Sequence, residues 1–205
     1  MSPKNNPTSQ DLMKAVIQRI ATGPELSKNI SREEAKQSMS LILNGDISDV
    51  RSAIFLIALR MKRETADENL GVHDAMIDSV ETLNISTEHL VNIADPYDGF
   101  TRNIPSSAFI LPVLAELGIP AISQGVETVG PKFGCTHHAI FKLHGLDVNA
   151  SHSDVAERVE NKNIGWGYID QKIFSPQLNN LMSLRTEIIK RPVITTIEVL
   201  ANPLI

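Results

Sequence analysis

Leu90-Val91-Asn92-Ile93-Ala94, then Ser106 to Leu117, then Pro120-Ala121-Ile122-Ser123 follow one another as apolar run, amphipathic stretch and apolar run. Short apolar runs bounded by Gly, Pro and Asp have the length of buried strands, and the stretch between them has the length of a crossover helix. The order predicts an α/β unit with parallel strands, and Pro112 predicts a kink in its helix because proline brings no N–H. Downstream, Thr136 to Leu143 and Ser153 to Val159 read as helices, and Gly165 to Ile169 as a further strand. Ser175-Pro176 reads as a cap plus first-turn proline opening another helix. Only two or three strands are countable before Ile205, few for a parallel sheet whose faces both need cover. Either another chain completes the sheet or the sequence is a truncated member of a longer family.

Upstream of that unit the periodicity is helical. Leu12, Val16 and Ile20 recur every four residues, with Met13 and Ile17 beside them, over a helix from Asp11 to Thr22 that Gly23-Pro24 ends. Ser31 with Glu34, and Thr65 with Glu68, have the spacing of capping boxes, in which hydroxyl and carboxylate each satisfy the other's free backbone N–H. The first opens a helix carrying Ala35, Met39 and Ile42 and closed by Gly45; the second opens one running to about Leu83. Ser48-Asp49 opens a third helix through Met61, apolar nearly all round from Ala53 to Leu59 and so central to a bundle. The expected division is a helical domain at 1–88 and an incomplete α/β domain at 89–205.

Composition narrows the function classes. The 205 residues are 42% hydrophobic and 21% charged, enough to bury a core. Nineteen basic against 24 acidic side chains give a net charge of −5, which disfavours nucleic acid and anionic lipid as partners. Arg60, Lys62 and Arg63 are the densest early basic group, read either as a nucleic-acid contact or as cations complementing a helix C-terminus. A single cysteine, no long apolar span and a polar N-terminus point to a reducing cytoplasm and no membrane.

Several residues invite chemical readings. Asp95-Pro96-Tyr97-Asp98-Gly99 follows a strand, where α/β proteins place ligand loops, and it also has the composition of a polar turn. Gly125 to Gly134 holds three glycines and Lys132, suited to close approach of an anion or to a mobile connector. Cys135-Thr136-His137-His138 sets three soft-metal ligands together, but adjacent helical histidines point apart and no second cluster has zinc spacing. Arg185 with Lys190-Arg191 reads as anion ligands or as a solvated basic face.

Ala21 to Leu26, Ser31 to Ala35 and Phe55 to Lys62 resemble the N-terminal helical domain of anthranilate phosphoribosyltransferase, a domain type shared with pyrimidine nucleoside phosphorylases. Gly118 to Gly125 and Gly165 to Pro203 continue the resemblance. It implies a helical domain that forms a homodimer and a truncated parallel-sheet α/β domain of the nucleoside phosphorylase/phosphoribosyltransferase type. It also implies transfer of a phosphoribosyl group from a sugar phosphate to an aromatic or nitrogenous acceptor such as anthranilate, in tryptophan biosynthesis. By the same resemblance Asp98, Gly99, Ser107, Gly125 and Lys132 lie near the sugar phosphate and Arg185 near the acceptor. Mg2+ is implied too, although its acidic ligand pair in the family falls beyond Ile205. The departures fall on phosphate binding. Asp95 to Gly99 replaces the family's Gly-Thr-Gly-Gly-Asp, inserting a proline and bulky or acidic side chains. Ser123 to Glu127 replaces Lys-His-Gly-Asn-Arg, keeping only the glycine. Tyr97 to Arg102 with Gly125 is similar to the altered loop of a divergent branch of the family in which some members bind nucleic acid, the basis for a catalytically inactive binding or regulatory module as the alternative.

Overall fold

The computed structural model describes residues 7–23 and 25–205; Pro24, read as part of the first helix's end, lies outside the described residues. Two compact units emerge, Met1–Ser79 with Asn180–Glu198, and Val80–Asn179 with Val199–Ile205. The division is interleaved in sequence, where a single cut between 88 and 89 was expected.

The first unit is helical: α1 Pro7–Ile20, α2 Arg32–Leu43, α3 Asp49–Lys62 and α4 Ala66–Ile77. Both expected capping boxes form, Ser31 with Glu34 and Thr65 with Glu68. Along α1 the stripe Met13, Val16 and Ile20 is buried, and α3 buries Phe55, Leu56 and Leu59. Helices α2 and α4 pack closely because Gly71 lacks a side chain: a Cβ there would lie 2.2 Å from the Arg32 carbonyl oxygen. Arg32 clamps the same pair from outside, its Nε 2.6 Å and Nη2 2.8 Å from the Asp74 carboxylate. Helix α4 stops at Ile77 instead of running to Leu83. The backbone of Leu83 pairs elsewhere, its N–H donating to the Pro203 carbonyl at 3.0 Å and its carbonyl accepting from Ile205 at 3.1 Å.

The second unit holds a three-stranded parallel sheet in the order β1 Val91–Ile93, β2 Ala121–Gly125, β3 Trp166–Asp170. Its register sets Ile93 beside Ser123 and Gly125 beside Asp170. The first crossover is a 3₁₀ turn, Ser106–Phe109, running into α5, Ile110–Glu116; the second carries α6, His137–Leu143, and α7, His152–Glu160. Pro112 makes no interior kink. It falls in the first turn of α5, where the N–H would have no intrahelical acceptor in any case. Leu111, Ala121, Ile140, Phe141 and Tyr168 form the heart of the core. Beside β1, the Asn92 side chain donates to the Ala201 carbonyl at 2.8 Å, fixing the 199–205 segment.

After β3 come α8 Gln171–Phe174 and α9 Pro176–Asn179, then α10 Met182–Ile188 and α11 Ile194–Ile197, ending in a 3₁₀ turn, Glu198–Leu200. Helices α10 and α11 pack on α3 and α4 within the helical unit. No helix among the described residues is long and apolar enough to cross a membrane.

Candidate functional site

The carboxyl ends of parallel strands point their last residues and the loops after them into one crevice, which is where open α/β sheets bind ligands. Here that end collects Asp95 just past β1, Ser123 and Gln124 in β2, and Asp170 closing β3. Helix α6 brings the partners. Thr136 caps it, accepting from the Ala139 N–H at 3.2 Å, and thereby sets His137 and His138 on its first turn facing the strand ends.

His137 is the hub. Its Nε2 lies 2.9 Å from Asp95 Oδ2 and 2.9 Å from Ser107 Oγ, and its Nδ1 lies 2.7 Å from Ser123 Oγ. Ser107, on the 3₁₀ turn, donates its hydroxyl proton to Asp95 Oδ2 as well. An ionised carboxylate only accepts, so in a neutral ring the proton sits on Nε2 and Nδ1 accepts the Ser123 hydroxyl. Burial works to raise the Asp95 carboxyl, but the hydrogen bonds from His137 and Ser107 outweigh it and hold the group below the usual aspartate range. The His137 and Ser123 side chains are buried, whereas the Asp95 side chain keeps 23% of its surface exposed.

A second set of groups lies behind the first. His138 Nδ1 sits 2.8 Å from Asp170 Oδ2, and the other carboxylate oxygen accepts the Lys172 N–H at 3.0 Å, capping α8. Tyr168 points its hydroxyl at the same pair, 3.4 Å from each. Burial, followed by the nearby Asp170 charge, pushes the Tyr168 phenol well above its ordinary value, so it stays protonated and donates. Tyr97 donates to the Gln124 side chain, whose amide donates to the Ala201 and Val199 carbonyls. The two histidines therefore serve different aspartates, and no group of three His, Cys, Asp or Glu side chains able to hold a metal exists among the described residues.

Five of the six residues singled out from sequence fall in this unit. Ser107 belongs to the His137 network. Asp98 is buried and lies 3.1 Å from Lys132 Nζ, which also sits 5.5 Å over the Phe100 ring. Gly99 is shaped by contact with Gly134: it has φ of +73°, and a Cβ on it would lie 2.5 Å from the Gly134 carbonyl carbon. That approach lets Phe100 and Cys135 exchange backbone hydrogen bonds of 2.9 and 2.8 Å, so the 125–134 segment is stitched to the 95–100 loop. Gly125 ends β2, where an added Cβ would meet only Tyr168, its hydroxyl at 3.6 Å. Arg185 is in the helical unit, buried, with both Nη atoms 2.7 Å from the Glu198 carboxylate. Of the early basic group, Lys62 is buried against Glu68 at 2.7 Å and Arg60 pairs with Glu64 at 3.1 Å, so two of the three charges are matched within their own unit.

His137, Ser123 and Asp170 are not among the six site residues that the sequence singles out. Asp95 and Asp170 carried a signal, each being an acid at or just past the end of a strand. The histidines stand in the sequence only as members of a Cys-Thr-His-His run, with nothing in it to name an aspartate as their partner.

Residues 14–80 match the model of the glycosyl transferase family helical bundle domain. An anthranilate phosphoribosyltransferase from Methanopyrus kandleri is 29% identical over 92% of the chain and 53% of its own length. Over most of its length, then, the chain is similar to anthranilate phosphoribosyltransferases. An uncharacterized Aquifex aeolicus protein is also 29% identical, over 94% of the chain and 57% of its own length. The chain thus spans about half the length of these curated relatives. In fold it is similar to anthranilate phosphoribosyltransferase from Thermus thermophilus, with a TM-score of 0.77 and 22% identity over 95% of this chain and 55% of that one. The Saccharomyces cerevisiae enzyme, solved in complex with PRPP and Mg, matches with a TM-score of 0.75 and 14% identity over 97% of this chain and 57% of that one.

Proposed function

We propose that this anthranilate phosphoribosyltransferase-like chain seats a sugar-phosphate donor at the strand carboxyl ends and supports transfer of a phosphoribosyl-type group to an aromatic or nitrogenous acceptor. The observation that carries the reading is Asp95: an ionised carboxylate, partly open, held rigid by Ser107 and His137. When the bond from the anomeric carbon to its leaving oxygen breaks, the electron pair leaves with that oxygen and positive charge develops on the sugar ring. A fixed carboxylate stabilises that charge without reorganising, and the acceptor nitrogen then supplies its lone pair. His137 orients the carboxylate, and Ser123 orients His137.

Three positions of the loop offer a diphosphate no backbone donor. Pro96 has no N–H, the Gly99 N–H is spent on the Pro96 carbonyl at 2.8 Å, and that of Phe100 on Cys135. Nor do these residues fit a resident Mg2+, since no three ligating side chains converge among the described residues and Asp98 lies against Lys132. The spent amides and the locked lysine favour a second reading, a binding or regulatory module on the same scaffold that recognises nucleic acid, another anion or a protein. A homodimer through the helical unit accompanies either reading, supported by the domain's likeness to the family.

Calorimetric titration with phosphoribosyl pyrophosphate and Mg2+ separates them: saturable heat supports the transferase reading, and none at millimolar ligand removes it. Retention of single-stranded nucleic acid that weakens with salt favours the module. Within the transferase reading, Asp95→Asn lowers turnover about a hundredfold with little change in KM. Because the folded state holds the Asp95 pKa down, its ionised form stabilises the fold above the unfolded aspartate value of about 3.9. That contribution is lost as pH falls through the lower folded value. The stability gap between wild type and Asp95→Asn should therefore shrink on acidification below about pH 4.

A further inference from the structure

We propose a second ligand site in the α/β unit, at the amino ends of its strands: a pocket for the zwitterion of an amino acid with an apolar side chain. The cavity measures about 820 Å³ and lies where residues 86–89, 118–120 and 160–165 lead into β1, β2 and β3, at the sheet end opposite Asp95. Its apolar wall is Ala115, Ile119, Pro120 and Val159. Ligand pockets are built this way, apolar with a few convergent polar groups.

The polar groups carry both signs of charge. Lys162 lines the cavity and makes no ion pair or hydrogen bond among the described residues. Glu160, two residues away, does not neutralise it. Its Oε1 accepts the Ser86 N–H and, at 2.7 Å, the Ser86 hydroxyl, and these bonds keep the carboxyl below its usual range and ionised at neutral pH. Glu88 adds a further acid, its carboxylate 3.9 Å from His89. The Thr87 hydroxyl is buried and has no hydrogen-bond partner among the described residues. A monoanion would satisfy Lys162 and face two carboxylates, and a monocation would do the reverse. A zwitterion sets its carboxylate toward Lys162 and its ammonium toward Glu160, and lays its side chain on the apolar wall.

Calorimetry at pH 7 with L-phenylalanine as the probe tests the site, with phenylacetate and phenethylamine as single-charge controls. Phenylalanine should bind saturably and more tightly than either control, and the emission of Trp166, the single tryptophan, should shift on binding. The exposed Lys162→Glu variant should weaken phenylalanine about tenfold while its circular dichroism matches wild type. No saturable binding at millimolar phenylalanine overturns the proposal. So do controls that bind equally well, a Lys162→Glu variant with wild-type affinity, or binding that leaves Trp166 emission unchanged.

Discussion

The buried acids of the helical unit are closed into pairs, as Asp98 and Asp170 are in the α/β unit, but Asp95 of the α/β unit is not. In the helical unit, Lys62 with Glu68 and Arg185 with Glu198 are closed pairs, both partners out of water and each charge matched. In the α/β unit, Asp95 is held as well, by the Ser107 hydroxyl and the His137 ring, but part of its surface stays open. A closed pair can only hold a junction together, whereas an anchored carboxylate with one open side can act on a ligand. An acid is closed off in one place and partly open in the other.

The largest expected effect tests the closed half of that contrast. Arg185→Met removes the buried partner of the Glu198 carboxylate and should cost about 3–5 kcal/mol in urea unfolding, because a buried ion pair broken on one side leaves a charge poorly compensated. The double variant Arg185→Met/Glu198→Leu should regain much of the loss, which a purely steric defect would not allow. Next comes the stitching beneath the open half. Gly99→Ala forces a left-handed backbone on a residue with a Cβ, about 1–2 kcal/mol by itself. It also drives that Cβ into Gly134, so the unfolding midpoint should fall further than the backbone cost alone. The smallest effect sharpens the separation: Ser31→Ala removes one capping box and should cost about 1 kcal/mol, leaving donor binding at the strand ends unchanged.

Much of the fold was legible in order. Both capping boxes and the β1–α5–β2–α6–α7–β3 succession form as the patterns indicate, because caps and amphipathic stripes act within about four residues along the chain. Legibility failed where a residue's partner is distant. Leu83 left the helical pattern for a backbone partner at Pro203. The spacing of Cys135-Thr136-His137-His138 speaks against a metal site but says nothing of what stands opposite, and the structure opposes the two histidines with Asp95 and Asp170.

What the residues dictated unaided is a loop after the first strand that carries proline and acids, and the alternation of helix and strand around it. Folding alone decided that Lys132 answers Asp98, that Arg185 is absorbed by Glu198, and that His137 ties the first strand's end to the second. The reason is the range of the forces. Backbone propensity is written locally, whereas a buried charge is satisfied by whichever group the packed chain brings within about 3 Å, however far away it lies in sequence.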